Sequence, residues 1–197
     1  MASSWKIIAL CGRRGAGKDF IANELVREHG FVNLKFAGPI KETLARLFSL
    51  SHEQIEGTEK EKIDERYGLT PRRLMQWFGT EVMQYSFSNE CPLVGRRFWS
   101  EKMRERIETE DCPVVISDLR FPHELDMLRA QFQGSLTVVR IIGCCCDEGG
   151  RNPMKEEECD VHESESGVDL LDADFEIENE KGKTSTDLVR ELLSRSG

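Results

Sequence analysis

Ten residues near the start of the chain could hold the phosphates of a nucleotide. The segment Leu10–Asp19 reads LCGRRGAGKD and matches the pattern G-x-x-x-x-G-K-[ST] at every position but the last. In this pattern the glycines let consecutive backbone N–H groups face the phosphates, and the lysine reaches the β- and γ-phosphate oxygens. The residues predicted to bind the nucleotide are Gly12, Arg13, Arg14, Gly15, Ala16, Gly17, Lys18 and Asp19.

The residues around this loop have the order that a phosphate site requires. The run Lys6–Leu10 is apolar after its first residue, and Asp19–Glu28 has apolar residues at helical spacing. Strand, glycine loop and helix is the expected order, and the N-terminus of a helix adds partial positive charge beside the phosphates. The alternative is an ordinary glycine-rich turn between a strand and a helix.

Asp19 stands where the pattern has a hydroxyl that ligates Mg²⁺. A carboxylate is also a good oxygen ligand for Mg²⁺, directly or through water. We therefore predict that Asp19 is a metal ligand, with a simple helix-capping role as the alternative.

Two arginines occupy an unfavourable place in a second segment. Thr70 is predicted to cap a helix with Pro71 at its first position, so Arg72 and Arg73 lie in the first turn. Cations there oppose the helix dipole by about 0.3–1 kcal/mol each, and the phosphate of an acceptor would explain them. Pairing with Glu61 or Asp64 is the alternative. Further along this helix, the residues that could contact a base or sugar are Gln76, Trp77 and Glu81.

An apolar run, Pro113–Ser117, ends at Asp118, as expected of a buried parallel strand that delivers a carboxylate to a ligand-binding edge. Asp118 is a candidate catalytic residue, either as a Mg²⁺ ligand that acts directly or through water or as a group that positions the acceptor. Arg120 is a candidate catalytic cation facing the transferred phosphate. Leu119 stands where a hydrolase usually needs a second acid, which favours transfer over hydrolysis. The alternative for Asp118 and Arg120 is a helix cap with a salt bridge to Glu124.

The segment Gly143–Gly167 is charged, glycine-containing and without periodicity, so we predict a lid. Its cations are Arg151 and Lys155, of which Arg151 is a candidate catalytic residue. A merely solvated loop is the alternative. Cysteines also occur here, and a zinc site is a weaker hypothesis, because a Cys triplet replaces a C-x₂-C pair. Its ligands would be Cys144, Cys145, Cys146, Cys159 and His162.

Five candidate strands alternate with helices, and the phosphate loop follows the first strand. This order predicts an α/β three-layer sandwich of the nucleoside monophosphate kinase type with a five-stranded parallel sheet. At 197 residues the chain would form a single domain, 1–197. We expect a helical substrate-binding region at about 37–110 and the lid at about 143–167.

The composition excludes some classes of protein. A net charge of −9 argues against binding of a nucleic-acid polymer, which needs clustered cations. There is no apolar run of membrane-spanning length, and Met1–Trp5 lacks the features of a secretion signal. The seven cysteines are an odd number, and we expect free thiols in a cytoplasmic protein.

Several short motifs occur in order along most of the chain. They are Gly17–Asp19, Lys35–Ala37 with Pro39 and Lys41, Thr70–Arg72 with Gln76, Gly79–Glu81, Ser117–Pro122, His162–Glu165 and Phe175–Asn179. With them the chain resembles the deoxynucleoside monophosphate kinases typical of large DNA phages and viruses. The resemblance implies ATP-dependent phosphorylation of a deoxynucleoside monophosphate with Mg²⁺, often by a homodimer. We further predict that Lys35 and Phe36 contact the acceptor, and that Lys35, Arg72 and Arg73 hold its phosphate.

Two other functions remain open at this point. The chain is also similar to animal-type phosphomevalonate kinases, which share a Gly-Lys-Asp loop, although Gln76, Trp77 and Glu81 favour an acceptor with a base. A nucleotide-hydrolysing switch is a further alternative, but the guanine-reading N-K-x-D motif is absent from the sequence.

Overall fold

The computed structural model describes residues 6–92, 97–143, 167–180 and 182–195. The chain divides into two compact units. Met1–Lys35 and Arg104–Gly197 form the first, which we call the sheet unit, and Phe36–Met103 form the second, which we call the helical unit. The predicted lid, 143–167, lies outside the described residues except for its two ends.

The sheet unit is built on five parallel strands in the order β2-β3-β1-β4-β5. All five residues of β1 and all three of β3 are buried, because helices cover both faces of a parallel sheet and leave no polar side. This sheet confirms the predicted fold class. The strands are β1 Ile7–Cys11, β2 Val32–Leu34, β3 Val114–Ile116, β4 Leu136–Gly143 and β5 Phe175–Asn179.

Helices α1 (Lys18–His29), α7 (Pro122–Phe132) and α8 (Ser185–Arg195) belong to the sheet unit. Apolar residues of α1 and α8 share one core with those of β1, β3, β4 and β5. Glu24 of α1 is buried and accepts hydrogen bonds from the hydroxyls of Ser185 (3.0 Å) and Thr186 (2.7 Å). The Thr186 hydroxyl is the main reason that the pKa of Glu24 lies below its ordinary value.

The helical unit contains α2 (Ala37–Leu47), α3 (His52–Ile55), α4 (Pro71–Gln76), a π-helix (Trp77–Ser86) and α5 (Phe87–Glu90). The boundary between the units falls within α6, Phe98–Glu108. The hydrophobic core of the helical unit is centred on Leu44, Leu50 and Ile55. Ser51 and Gln54 form a capping box at the start of α3.

The sequence predicts a helix that opens at Pro39 and a solvated helix face at Glu59–Arg66, and both predictions were wrong. Helix α2 begins at Ala37, two residues before Pro39, since a proline within the first turn removes no intrahelical hydrogen bond. The charged stretch Glu59–Arg66 is not a helix beyond a 3₁₀ turn at Thr58–Glu61, because the carboxylate of Asp64 binds the backbone and side chain of Arg66.

The helix predicted to run from Thr70 through Glu81 is α-helical only as far as Gln76. It then widens into the π-helix, in which the Phe87 N–H bonds the Val82 carbonyl five residues earlier. Within this stretch, the Gly79 carbonyl accepts a hydrogen bond from the Trp99 indole N–H at 2.8 Å. That partner comes from a distant helix, so the spacing of apolar residues could not reveal it.

None of the helices in the described ranges has the length and apolar character needed to cross a bilayer.

Candidate active site

The candidate site lies at the carboxyl edge of the sheet, where all five parallel strands end. β1 is the central strand, and the chain leaves it towards β2 on one side and later reaches β4 on the other. Ligands bind α/β sheets at such a reversal of strand order. The loop that follows β1 is the predicted phosphate loop.

Two glycines allow this loop to pack tightly. Gly12 has a φ of 141°, and a Cβ there would lie 2.3 Å from the carbonyl oxygen of Ile141. Gly17 has a φ of 97°, and its Cβ would lie 2.3 Å from the side-chain nitrogen of Asn179. Both positions therefore favour glycine for backbone conformation, and position 12 also requires it for space, because a backbone carbonyl cannot move aside as a side-chain amide can.

Lys18 is the first residue of α1 and is buried. Its Nζ donates to the carbonyl oxygens of Gly12 at 2.6 Å and Arg13 at 2.9 Å. The ammonium is thus held against the loop's backbone, beside the N-terminus of α1. The Arg13 side chain, mostly exposed, pairs with Asp169 at 3.0 Å, and Arg14 is also exposed.

Residues at the ends of β4 and β5 contact the phosphate loop at Ala16. The Asn179 side chain donates to the carbonyl of Ala16 at 3.1 Å, and a Cβ on Gly143 would lie 2.9 Å from the Cα of Ala16. No role was predicted for Asn179 from the sequence. The one feature that could have indicated a contact with the loop is its amide side chain at the end of the last strand.

Four side chains from three neighbouring strand ends meet beside the loop. Lys35 Nζ lies 2.6 Å from Asp19 Oδ1. The residue predicted to bind the acceptor's phosphate is therefore paired with a predicted metal ligand. The hydroxyl oxygen of Ser117 lies 3.5 Å from the same Asp19 oxygen and 3.1 Å from Asn33 Oδ1. Ser117 and Asn33 were missed by the sequence analysis, although Ser117 precedes the predicted ligand Asp118.

Asp118 and Arg120 lie in a turn that a buried carboxyl group organises. Glu124 Oε2 accepts hydrogen bonds from the backbone N–H groups of Arg120 and Phe121, both at 3.0 Å. The pKa of Glu124 is raised to about 8, mainly by burial and to a smaller extent by the charge of Asp118, although the two N–H groups act in the opposite direction. Glu124 thus holds the turn at the start of α7 through the backbone.

The predicted acceptor residues Arg72, Arg73, Gln76, Trp77 and Glu81 lie in the helical unit. The Arg72 guanidinium pairs with Glu61, and Arg73 pairs with Glu81 at 3.0 Å. The Thr70 hydroxyl accepts from the Arg73 N–H at 3.1 Å, so the predicted cap is present.

The other side chains of this group differ in exposure, since Trp77 is exposed, Gln76 is half-buried and Phe36 is buried. Contact of the two arginines with a substrate phosphate stays a prediction. The alternative partner Glu61 is present for Arg72, whereas Asp64 pairs with Arg66 instead.

Some predicted residues lie outside the described part of the chain. They are Arg151, Lys155, Cys144, Cys145, Cys146, Cys159 and His162. Among the described residues, Cys11, Cys91 and Cys112 are free thiols, and no three His, Cys, Asp or Glu side chains are grouped as metal ligands.

A central parallel strand, a glycine loop and a lysine at the start of the next helix define a phosphate-loop nucleotide-binding protein. Residues 49–188 match the sequence model of the deoxynucleotide monophosphate kinases, and the chain belongs to this family. A protein of Acanthamoeba polyphaga mimivirus, described as a candidate deoxynucleotide monophosphate kinase, is 35% identical over 131 residues. That alignment covers 62% of this chain and 68% of the viral protein. The resemblance seen in the motifs is therefore confirmed, and the chain is a phosphotransferase.

Solved structures of other kinases are also similar. Shikimate kinase from Aquifex aeolicus is 18% identical, with a TM-score of 0.46 over 96% of this chain and 94% of that one. Dephospho-CoA kinase from Campylobacter jejuni is 13% identical, with a TM-score of 0.46 over 99% of both chains.

Proposed function

We propose that this protein transfers the γ-phosphate of ATP to the phosphate of a deoxynucleoside monophosphate, giving ADP and a deoxynucleoside diphosphate. The observation that carries the proposal is the match of residues 49–188 to the deoxynucleotide monophosphate kinases. That range contains the predicted acceptor arginines and the Ser117–Pro122 motif, and it follows a phosphate loop that has the glycines and the lysine of the pattern. Family membership favours a nucleotide over phosphomevalonate as the acceptor.

On the donor side, the backbone N–H groups of Gly12–Gly17 and the ammonium of Lys18 hold the β- and γ-phosphates. The contacts of Lys18 with the Gly12 and Arg13 carbonyls support this role, because they keep the ammonium at the loop. Transfer of a phosphoryl group requires mostly alignment and neutralisation of charge, so no covalent intermediate with the protein is needed.

Mg²⁺ fits the residues near the loop. Asp19 and Ser117 offer carboxylate and hydroxyl oxygens 3.5 Å apart, and Mg²⁺ prefers oxygen ligands. Asp19 and Asp118 are the proposed protein ligands. When bound, Mg²⁺ neutralises charge on the β- and γ-phosphate oxygens.

On the acceptor side, Arg72, Arg73 and Lys35 hold the phosphate, while Gln76, Trp77, Glu81 and Phe36 contact the nucleoside. Arginine suits this task because its planar fork binds two phosphate oxygens at once. Binding exchanges the present carboxylate partners for a substrate phosphate. Arg120 and Arg151 are the proposed cations for the group in transfer.

The proposed enzyme is a cytoplasmic homodimer. The free thiols of the described residues support the reducing compartment, and the family resemblance supports the dimer. The helical region of the enzyme, about 37–110, would bind the acceptor, and its lid, about 143–167, would close over the phosphates.

An ADP-release assay with ATP, Mg²⁺ and a panel of acceptors tests the function. The panel contains deoxynucleoside and ribonucleoside monophosphates and phosphomevalonate. We expect release with at least one deoxynucleoside monophosphate and none without an acceptor. Release with phosphomevalonate alone, or equal release without any acceptor, would contradict the proposal.

Lys18→Ala should abolish transfer and leave the fold intact, because it removes the cation at the β- and γ-phosphates. Lys62→Ala is the matched control, since that exposed lysine pairs with Glu59, three residues earlier in the helical unit. Wild-type turnover by Lys18→Ala would refute the assignment of the loop.

A further inference from the structure

The phosphate loop lacks the hydroxyl that its pattern places after the lysine, but a hydroxyl lies close by on another strand. Ser117 follows β3, which is hydrogen-bonded to β1 on one side and to β2 on the other. Its Oγ lies 3.5 Å from Oδ1 of Asp19, the residue that replaces the missing hydroxyl. The Ser117 side chain is buried, at 2% exposure, so its position is fixed by the protein.

The register of β2 and β3 determines how the Ser117 hydroxyl is oriented. Asn33 pairs with Val115 across the two strands, and Ser117 lies two residues beyond Val115, on the same face of the sheet. The Ser117 hydroxyl donates to Asn33 Oδ1 at 3.1 Å, the shorter of its two contacts. A serine hydroxyl has one proton and two lone pairs. With the proton directed at Asn33, lone pairs remain on the side of Asp19.

The space beside Asp19 already accommodates a cationic group. The ammonium of Lys35, from the residue that follows β2, lies 2.6 Å from Asp19 Oδ1. Neighbouring ligands of an octahedral Mg²⁺ are about 3 Å apart, given metal–oxygen distances of about 2.1 Å. The 3.5 Å between Ser117 Oγ and Asp19 Oδ1 is close to this spacing.

We propose that Ser117 supplies the hydroxyl ligand for the nucleotide's Mg²⁺ that the loop itself does not provide, and that Asn33 orients it. The protein side of the site then consists of Asp19 from the start of α1, Ser117 from the end of β3 and the proposed ligand Asp118. Metal binding at Asp19 releases Lys35, which becomes available to the acceptor's phosphate. The proposal rests on the proposed function only in that the protein binds Mg²⁺ with ATP.

Calorimetric titration of the full chain with a non-hydrolysable ATP analogue tests this, once with Mg²⁺ and once with EDTA. In Ser117→Ala we expect the Mg²⁺-dependent gain in affinity to fall about tenfold or more, with the affinity in EDTA unchanged. Ser100→Ala is the matched control, because Ser100 is a fully buried serine of the helical unit. It should leave both affinities unchanged.

Ser117→Cys gives a second, nearly isosteric test. A thiol is a soft ligand, so this variant should lose the Mg²⁺-dependent gain and recover affinity when Cd²⁺ replaces Mg²⁺. Wild-type protein with Cd²⁺ corrects for the native cysteines.

Three results would overturn the assignment. They are unchanged metal dependence in Ser117→Ala, equal weakening in Mg²⁺ and EDTA, and no recovery of Ser117→Cys with Cd²⁺. Because no acceptor is present, these outcomes are independent of whether the transfer reaction occurs.

Discussion

The glycines of the phosphate loop are required for different reasons, and alanine substitutions should distinguish a steric contact from backbone strain. In Gly12→Ala the new Cβ would meet a backbone carbonyl at 2.3 Å, at a φ of 141°. Backbone atoms of β4 cannot move aside cheaply, so we expect the free energy of unfolding to fall by about 2 kcal/mol or more, together with loss of nucleotide binding.

Gly15→Ala is the control for Gly12→Ala. Gly15 also has a positive φ, of 82°, but a Cβ there meets nothing within 4 Å. We expect a cost of about 1 kcal/mol from backbone strain alone. Chemical denaturation of both variants measures the difference, and equal costs would show that the contact with Ile141 does not limit position 12.

Arg72 distinguishes a substrate contact from a structural ion pair. If its guanidinium holds the acceptor's phosphate, Arg72→Ala should raise the acceptor KM about tenfold or more and leave the ATP KM unchanged. Steady-state kinetics with each substrate varied in turn measure this. Arg190→Ala, which breaks an exposed pair with Asp187 in α8, should change neither KM. An unaltered acceptor KM in Arg72→Ala would leave Glu61 as the partner that explains this arginine.

At the scale of elements, the π-helix depends on a contact from α6. Trp99 is buried, and its indole N–H satisfies the Gly79 carbonyl at 2.8 Å. Trp99→Phe should lower the free energy of unfolding by about 1–3 kcal/mol, since the carbonyl loses its partner and part of the ring volume is lost. Trp77→Phe, at an exposed position of the π-helix, should change the free energy of unfolding by less than about 0.5 kcal/mol. Equal effects would contradict this role for Trp99.

Elements were predictable where their causes are local. Neighbouring residues alone determine four features: strand β1, strand β3, the capping box at Ser51 and the end of α1 at a glycine. The unpredicted features depend on residues far apart in sequence. Asn179 contacts Ala16, and Ser117 contacts Asn33, only because parallel strands end at one edge. Periodicity in the sequence cannot specify those pairings.

For the whole molecule, two kinds of carboxyl group give opposite dependences of stability on pH. The pKa of Glu124, about 8 when folded, lies above its ordinary value of 4.5. The folded state therefore binds the extra proton between these values, and stability falls as the pH rises from about 4.5 to 8, by at most about 1.4 kcal/mol per pH unit.

Asp64 acts in the opposite direction. Hydrogen bonds from Arg66 hold the pKa of Asp64 well below its ordinary value of 3.8, so its contribution is present above that pH and is lost in stronger acid. We expect maximal stability on the acid side of neutrality, at about pH 4–6. Thermal unfolding from pH 3 to 9 measures this.

Glu124→Gln is the matched variant for the alkaline side. A glutamine oxygen can still accept from the Arg120 and Phe121 N–H groups, but it does not titrate. Its melting temperature should no longer fall between pH 5 and 8. A wild-type profile that is flat over this range would contradict the raised pKa.

The reactivity of the Cys11 thiol should measure how often the centre of the sheet becomes exposed to solvent. Cys11 ends β1, is fully buried, and burial raises the pKa of its thiol, whereas Cys91 and Cys112 are partly accessible. Alkylation requires an accessible thiolate. In timed labelling read by peptide mass spectrometry, Cys91 and Cys112 should react early and Cys11 only when the centre of the sheet separates. A nucleotide that binds the adjoining loop only in the closed sheet should slow labelling of Cys11 by a factor of 1 + [L]/Kd, where [L] is the free nucleotide concentration.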